Sequence, residues 1–213
     1  MINAFSDLEL AKKRSAEAHN RARAREEKEA EQGGLKHDDG KRPWHLIPWD
    51  AASALAGIDL AELVDDTPTK GELVLVAIES LKGWFQSPGG PARLDVALWC
   101  VLAVLETEIR GGDPEAEYVD STAYYLLGLS RVADVLQFGA RKYGARNWEK
   151  GIAYSRCFSA TIRHIFASYI EDERDDPEAG ISHMAHAACE ILFLMTFETR
   201  GLAAFDDRPR AAK

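Results

Sequence analysis

A run of carboxylates late in the chain has the clearest chemical potential. Residues 171–178 read EDERDDPE, so six carboxylates and one arginine share eight positions. Such a run is typical of a solvated loop, but its oxygens are also the ligands that hard cations such as Mg²⁺ and Mn²⁺ prefer. His164 precedes the run, and His183 and His186 follow it three residues apart, on one face of a predicted helix. We predict a divalent-metal site here, with salt bridges and helix caps as the alternative.

A basic stretch punctuated by glycines comes before these histidines. Residues 139–151 contain four cations around three groups suited to a base or sugar: Arg141, Lys142, Arg146 and Lys150 around Tyr143, Asn147 and Trp148. Cations beside an exposed aromatic ring suit a nucleotide, because the charges meet the phosphates and the ring meets the base. The alternative is a solvated loop in which Trp148 fills the end of a helical bundle. A metal-bound triphosphate needs both kinds of site.

The elements that position both groups are predicted to be helices, from the helical periodicity of the sequence. This periodicity predicts helices over residues 5–31, 71–86, 91–110, 121–138, 154–170 and 182–198, and no alternation typical of a strand persists. Ser182 is placed to cap the last helix, and Asp176 to cap a short turn before it. The last two helices then bring His164, the acidic run and the later histidines together. The predicted fold is all-α, a helical bundle of about five main helices.

Composition divides the chain into an arm, a domain and a tail. Residues 1–34 are predicted to form a charged helical arm, residues 35–200 a single helical domain, and residues 201–213 a flexible tail. Within the domain, residues 52–130 are predicted to carry a helical hairpin. Its apolar helix over residues 91–105 suits either the core or an interface in a homo-oligomer.

The composition also excludes several classes of protein. The 213 residues carry a formal charge of −9, which argues against nucleic acid as a partner. No run of about 18 apolar residues is present and no secretory signal opens the chain, so we expect no membrane association. The three cysteines are too far apart for a zinc motif or a disulfide framework, so we predict a cytoplasmic protein.

Several short motifs, taken in order, resemble those of the phage dATP/dGTP diphosphohydrolase family. They are KHDDGKRPWHLIP at residues 36–48, VLQFGARKYG at 135–144, Asn147-Trp148, Arg163-His164, DPEAG at 176–180 and HMAHA at 183–187. The first resembles the opening of the family and the second its central motif. The resemblance covers residues 36–51 and 131–198.

The chain departs from the compact family pattern because residues 52–130 separate the opening from the central motif. By activity the family is similar to the all-α, MazG-like nucleotide pyrophosphohydrolases, which carry ExxE on one helix and ExxD on the next. Here Glu26/Glu29 fit ExxE within the arm, whereas Glu62/Asp65 and Glu173/Asp176 fit ExxD without a suitably spaced ExxE. That metal site is therefore not transferred to this chain.

The resemblance implies a metal-dependent enzyme of phage nucleotide metabolism that splits dATP or dGTP into a monophosphate and pyrophosphate. The predicted ligands of Mg²⁺ or Mn²⁺ are Glu171, Asp172, Asp175, Asp176, His183 and His186. The predicted catalytic groups are Glu171, Asp176, Glu178 and His164. The predicted substrate-binding residues are Lys36, Asp38, Lys41, Lys142, Tyr143, Asn147, Trp148 and Arg163.

The sequence is also compatible with two other functions. A non-catalytic nucleotide-binding or host-interaction protein of a phage would account for the arm and the hairpin, since hydrolysis needs neither. A single-stranded nucleic-acid module would use the basic and aromatic loop, against the negative charge of the chain. Turnover of deoxynucleoside triphosphates with Mg²⁺ or Mn²⁺ distinguishes the enzyme from both.

Overall fold

The computed structural model describes residues 41–52, 68–88, 93–109 and 121–209. Outside these ranges lie the predicted arm, Lys36 and Asp38, and the Glu26/Glu29 and Glu62/Asp65 pairs. Internal contacts divide the chain into two units, residues 1–41 and residues 42–213. Lys41 belongs to the first unit, and the architecture that follows is that of the second.

The second unit is all-α, as predicted. Its helices are α1 (Trp49–Ala52), α2 (Lys70–Gln86), α3 (Leu94–Ile109), α4 (Ser121–Tyr143), α5 (Tyr154–Tyr169) and α6 (His183–Thr199). Short 3₁₀ turns lie at Trp44–Leu46, Asn147–Lys150 and Ala203–Phe205. The described ranges contain no strand, apart from an isolated bridge between Asp175 and Ser182.

The last helix, α6, is the centre of the core. It packs against α5, α3, α4 and α1. Buried side chains cover its whole circumference, including Met184, Ile191, Leu194 and Phe197. Burying each such side chain contributes about 1.5–3 kcal/mol, so this helix gains its stability from tertiary packing and not from an amphipathic stripe.

The predicted hairpin forms part of this core. Helices α2 and α3 pack against each other, and α3 also packs against α6. Leu98, Leu102 and Leu105 of α3 are essentially inaccessible to solvent. The apolar helix that suited either the core or an interface is therefore a core helix.

Glu108, near the end of α3, anchors the start of α6. Its carboxylate accepts hydrogen bonds from Lys70 Nζ at 3.2 Å, Ser168 Oγ at 2.8 Å and Ser182 Oγ at 3.0 Å. Ser182 Oγ also accepts from the backbone N–H two residues later and caps α6, as predicted. One carboxylate of the hairpin thus fixes the helix terminus that carries His183.

The chain after Arg200, predicted to be a flexible tail, packs back onto the helices as far as residue 209. Arg208 is buried, with its guanidinium 4.2 Å from the centre of the Trp84 ring and its Nη1 donating to the Trp84 carbonyl. The Phe205 ring lies so close to Gly151 that a Cβ there would collide with it, and Gly151 has a φ of 95°. Packing of large side chains therefore holds this segment.

None of the described helices combines the length and the apolar character that crossing a membrane requires.

Candidate functional site

A cavity of about 460 Å³ lies among α4, α5, α6 and the turns beside them. From α6 it is lined by His186, Glu190 and Phe193, whose spacing places them on one helix face. Helix α5 runs antiparallel to α6, since His164 contacts His183 at one end of the pair and Cys157 lies against Glu190 further along. The volume falls in the range of small-molecule sites.

Three histidines from α5 and α6 meet beside this cavity, and two of them, His164 and His186, line it. The Nδ1 atoms of His164 and His183 are 2.8 Å apart, and the rings of His164 and His186 stack with centroids 4.8 Å apart. The buried Nε2 atoms of His183 and His186 have no hydrogen-bond partner among the described residues. Buried polar atoms are normally satisfied, so these nitrogens are available to a ligand.

The acidic turn adds one carboxylate to the histidines. Asp176 Oδ1 accepts hydrogen bonds from the N–H groups of Glu178 and Ala179, the predicted cap of this turn. Although burial acts to raise it, the pKa of Asp176 is lowered by these hydrogen bonds and by the charge of His186. Asp176 is therefore held as a carboxylate beside the imidazoles.

The surroundings also keep two of the imidazoles neutral. Burial, followed by the charges of His186 and His183, lowers the pKa of His164 to about 4. Burial likewise lowers the pKa of His186. A metal ion needs the lone pair of a neutral imidazole, so this environment favours ligation over an ion pair.

His164, Asp176 and His183 form a group that could hold a metal ion. One ligand atom from each lies within 4.8 Å of the other two, and no other such group of three occurs in the described parts of the chain. Two imidazoles with one carboxylate suit Mn²⁺ or a later transition ion better than Mg²⁺, which prefers oxygen ligands. The donor set, together with the orphaned Nε2 of His183, fits a divalent cation.

The remaining acidic side chains of the turn lie apart from this group. Glu171, Asp172 and Asp175 are exposed and line no part of the cavity, and Asp175 lies 3.9 Å from the neighbouring Arg174. Glu173 Oε2 lies 3.8 Å from His183 Nε2. Of the predicted ligands, the structure therefore brings Asp176, His183 and His186 together, with His164 among them.

The cations of the cavity form a second group. Lys142 and Arg163, both predicted to bind substrate, line it together with Arg146 and Arg156. Lys142 Nζ donates to Glu178 Oε1, and this hydrogen bond raises the pKa of Lys142. Arg163 and Arg156 form no ion pair with another described residue, so their charges are available to an anion.

The aromatic residues divide between the core and the cavity mouth. Trp148 is buried and stacks on Phe193 with ring centroids 4.3 Å apart, whereas Tyr143 is 63% exposed at the rim. Asn147 lines the cavity and accepts a hydrogen bond from Lys150 Nζ. Trp148 therefore takes the position of the alternative prediction, in which it fills the end of the bundle, and it also lines the cavity.

Sequence reasoning missed Arg156 as a lining residue and gave no role to Glu190. Arg156 precedes Arg163 by seven residues, two helical turns, so it lies on the same face of α5. The seven-residue spacing between the two arginines could therefore have identified Arg156 from the sequence. The position of Glu190 against Cys157 depends on how α5 pairs with α6, which local spacing does not reveal.

The segment that builds this site has relatives. Residues 111–208 match the family described as dATP/dGTP diphosphohydrolase, N-terminal. The predicted family resemblance is confirmed over this segment. It includes α4, α5, α6 and almost every residue that lines the cavity, whereas the opening motif at residues 36–48 lies outside it.

A similar protein from a phage bears the same family name. A dATP/dGTP diphosphohydrolase of Salmonella phage PMBT28 is 40% identical over 63 residues, which are 30% of this chain and 21% of the phage protein. The chain thus spans about a fifth of the length of that relative. No solved structure matches the chain.

Proposed function

We propose that this chain is a metal-dependent diphosphohydrolase that converts purine deoxynucleoside triphosphates, dATP or dGTP, into the monophosphate and pyrophosphate. The observation that supports this most is that His164 and Asp176, which group with His183, line the same cavity as the cations Arg156 and Arg163. A metal group beside free guanidiniums suits a polyphosphate. The name of the phage relative supplies the substrate class.

His164, Asp176 and His183 would hold the cation, with His186 stacked against His164. A bound divalent cation there offsets charge on the phosphates and makes water more acidic. The neutral state of His164 and the carboxylate state of Asp176 prepare the site for it, because neither of these two groups must lose a proton at neutral pH. The donor set supports Mn²⁺ ahead of Mg²⁺.

The cations of the cavity bind and orient the triphosphate. Arg163 lies beside His164 in sequence and lines the same cavity, so it can form charge-assisted hydrogen bonds with a phosphate next to the histidines. Lys142 is paired with Glu178 across the rim. A phosphate that draws Lys142 away would release the Glu178 carboxylate into the site.

Glu178 is then the base that accepts the proton of the attacking water. Asp176 is less suited to this role, because its Oδ1 is held by two backbone N–H groups. The water oxygen bonds to the α-phosphorus, the anhydride bond between the α- and β-phosphates breaks, and pyrophosphate leaves with the bridging oxygen. The cavity cations stabilise the charge on the leaving group.

Product identification tests this proposal. The purified full chain is incubated with each of the four common deoxynucleoside triphosphates and Mn²⁺ or Mg²⁺, and products are separated by anion exchange and assigned by ³¹P NMR. We expect dGMP or dAMP with pyrophosphate, and a loss of about 100-fold or more in His183→Ala. The matched control is His45→Ala, since His45 is exposed and lies outside the cavity.

The assay also has an outcome that defeats the proposal. Intact nucleotide binding without turnover under either metal would favour the non-catalytic nucleotide-binding protein. Release of nucleoside and tripolyphosphate would mean that another bond is cut.

A further inference from the structure

Glu190 places a carboxyl on the cavity wall between the histidines and the aromatic residues. It follows His186 by four residues and precedes Phe193 by three, so α6 presents all three along one face. The helical rise separates His186 from Phe193 by about 10 Å along the axis. Glu190 therefore lines the cavity one helical turn from His186 and about one turn from Phe193.

The carboxyl of Glu190 has only a weak hydrogen-bond partner among the described residues. The Cys157 thiol, a weak donor, lies against it, and Arg156 and Arg163 act on it through charge, with neither close enough to form an ion pair among the described residues. Glu190 is half-buried and lines the cavity. A carboxyl that is shielded from bulk water and has only a weak partner in the protein can accept hydrogen bonds from the donor groups of a ligand.

The wall beside Glu190 suits a flat ring. Phe193, one turn further along α6, stacks on Trp148 with an angle of 14° between the ring planes. Cys157 and Ala160 of α5 also line this part of the cavity and contribute small apolar surfaces. An apolar wall with one polar group at its edge is the usual arrangement for binding an aromatic heterocycle.

We propose that Glu190 binds the Watson–Crick edge of the purine base and sets the preference between guanine and adenine. This inference rests on the proposed function, which places a purine nucleotide in the cavity. Guanine presents two adjacent donors, N1–H and the 2-amino group, which a carboxylate accepts as a pair. Adenine presents the 6-amino donor beside the N1 acceptor, which a protonated carboxyl matches with one acceptor and one donor.

The surroundings of Glu190 give it access to both forms. Burial raises the pKa of Glu190 to about 7, and the Cys157 thiol and the two arginines limit the rise. The carboxylate that suits guanine and the acid that suits adenine are therefore both populated near neutral pH. One side chain thus has the means to accept either purine.

Exchange of Glu190 for glutamine tests the inference. Glutamine is nearly isosteric and offers one acceptor and one donor at every pH, so it matches adenine and leaves one guanine donor facing an amide N–H. In Glu190→Gln we expect the ratio of kcat/KM for dATP over dGTP to rise at least tenfold at pH 8. Binding of the α,β-methylene analogues of both nucleotides, measured by calorimetry, is expected to shift in the same direction.

Two further variants make the result decisive. Glu190→Asp retains the carboxylate and is expected to keep the wild-type order of preference, whereas Glu79→Gln alters an exposed glutamate outside the cavity and is expected to leave the ratio unchanged. A Glu190→Gln ratio within twofold of the wild type, in a protein that still turns over both purines, overturns this inference alone. A wild type that neither binds nor hydrolyses purine nucleotides overturns it together with the proposed function.

Discussion

The Nδ1 atoms of His164 and His183 lie 2.8 Å apart, although 19 positions separate these residues in the chain. At that distance one ring nitrogen donates and the other accepts, so the contact requires at least one neutral imidazole. The low pKa of His164, about 4, satisfies this requirement at neutral pH. Helices α5 and α6 have therefore brought two imidazoles, at least one of them neutral, into contact before any ligand arrives.

Removal of His183 should weaken metal binding. In His183→Ala we expect the affinity for Mn²⁺ to fall by about 100-fold, since one of the three proposed ligands is lost and the other two come from different elements. Calorimetric titration of the chain with Mn²⁺ measures this, with His45→Ala as the surface control. Unchanged Mn²⁺ affinity would remove His183 from the site.

Removal of Arg163 should weaken the productive binding of the triphosphate. Charge-assisted hydrogen bonds contribute about 1.5–3 kcal/mol, so Arg163→Ala should lower kcat/KM by about 10- to 150-fold. Steady-state kinetics with dGTP measures the effect. Arg131→Ala, which removes an arginine that lines no part of the cavity, is the control. Equal losses in both variants would indicate a general effect of charge on the protein.

Glu190 should make the free energy of unfolding depend on pH. Its pKa is about 7 in the folded chain against 4.5 for the reference side chain, so the folded state binds more protons between these pH values. Stability should therefore fall as pH rises through this window, by on the order of 3 kcal/mol at most. Glu190→Gln should unfold in urea with a stability near that of wild type at pH 5 and above it at pH 8.

The comparison between variant and wild type isolates Glu190, because every other group titrates in both proteins. A constant difference across the pH range would show that Glu190 has an ordinary pKa in the folded chain.

Arg208 should stabilise the fold although it lies near the end of the chain. Its guanidinium packs over Trp84 and pairs with Glu198 at 3.2 Å and with Asp206 at 2.8 Å. Arg208→Ala should lower the free energy of unfolding by about 3 kcal/mol, since it removes the guanidinium from both ion pairs and the packing on Trp84. Urea denaturation measures this. A loss below about 0.5 kcal/mol would match the flexible tail predicted from sequence.

Local periodicity predicted the positions of the helices, but the predicted end of α4 was wrong. The sequence predicted its end at residue 138, because Phe138-Gly139 resembled a stop, but the helix continues to Tyr143. A glycine inside a helix costs about 1 kcal/mol, which tertiary packing offsets here. The extra turn places Lys142 at the cavity rim, so the difference matters to the site.

The candidate site was predictable where it depends on local geometry. The spacing of His183 and His186 and the caps at Asp176 and Ser182 follow from helix and turn rules. The separation of Glu171, Asp172 and Asp175 from the histidines does not, because a run of carboxylates carries no information on which side chain faces inward. Arg156 could have been found from its seven-residue spacing to Arg163, whereas the role of Glu190 required the pairing of α5 with α6.

Hydrolysis of dGTP in ¹⁸O-labelled water, with Mn²⁺ present, shows which phosphorus atom the water attacks. Mass spectrometry of the two products locates the oxygen that water contributed. Attack at the α-phosphorus predicts one ¹⁸O in dGMP and none in pyrophosphate after a single turnover, and loss of both products in His183→Ala. Label in pyrophosphate, or no labelled product from a chain that binds dGTP and Mn²⁺, would rule out metal-dependent attack at the α-phosphorus.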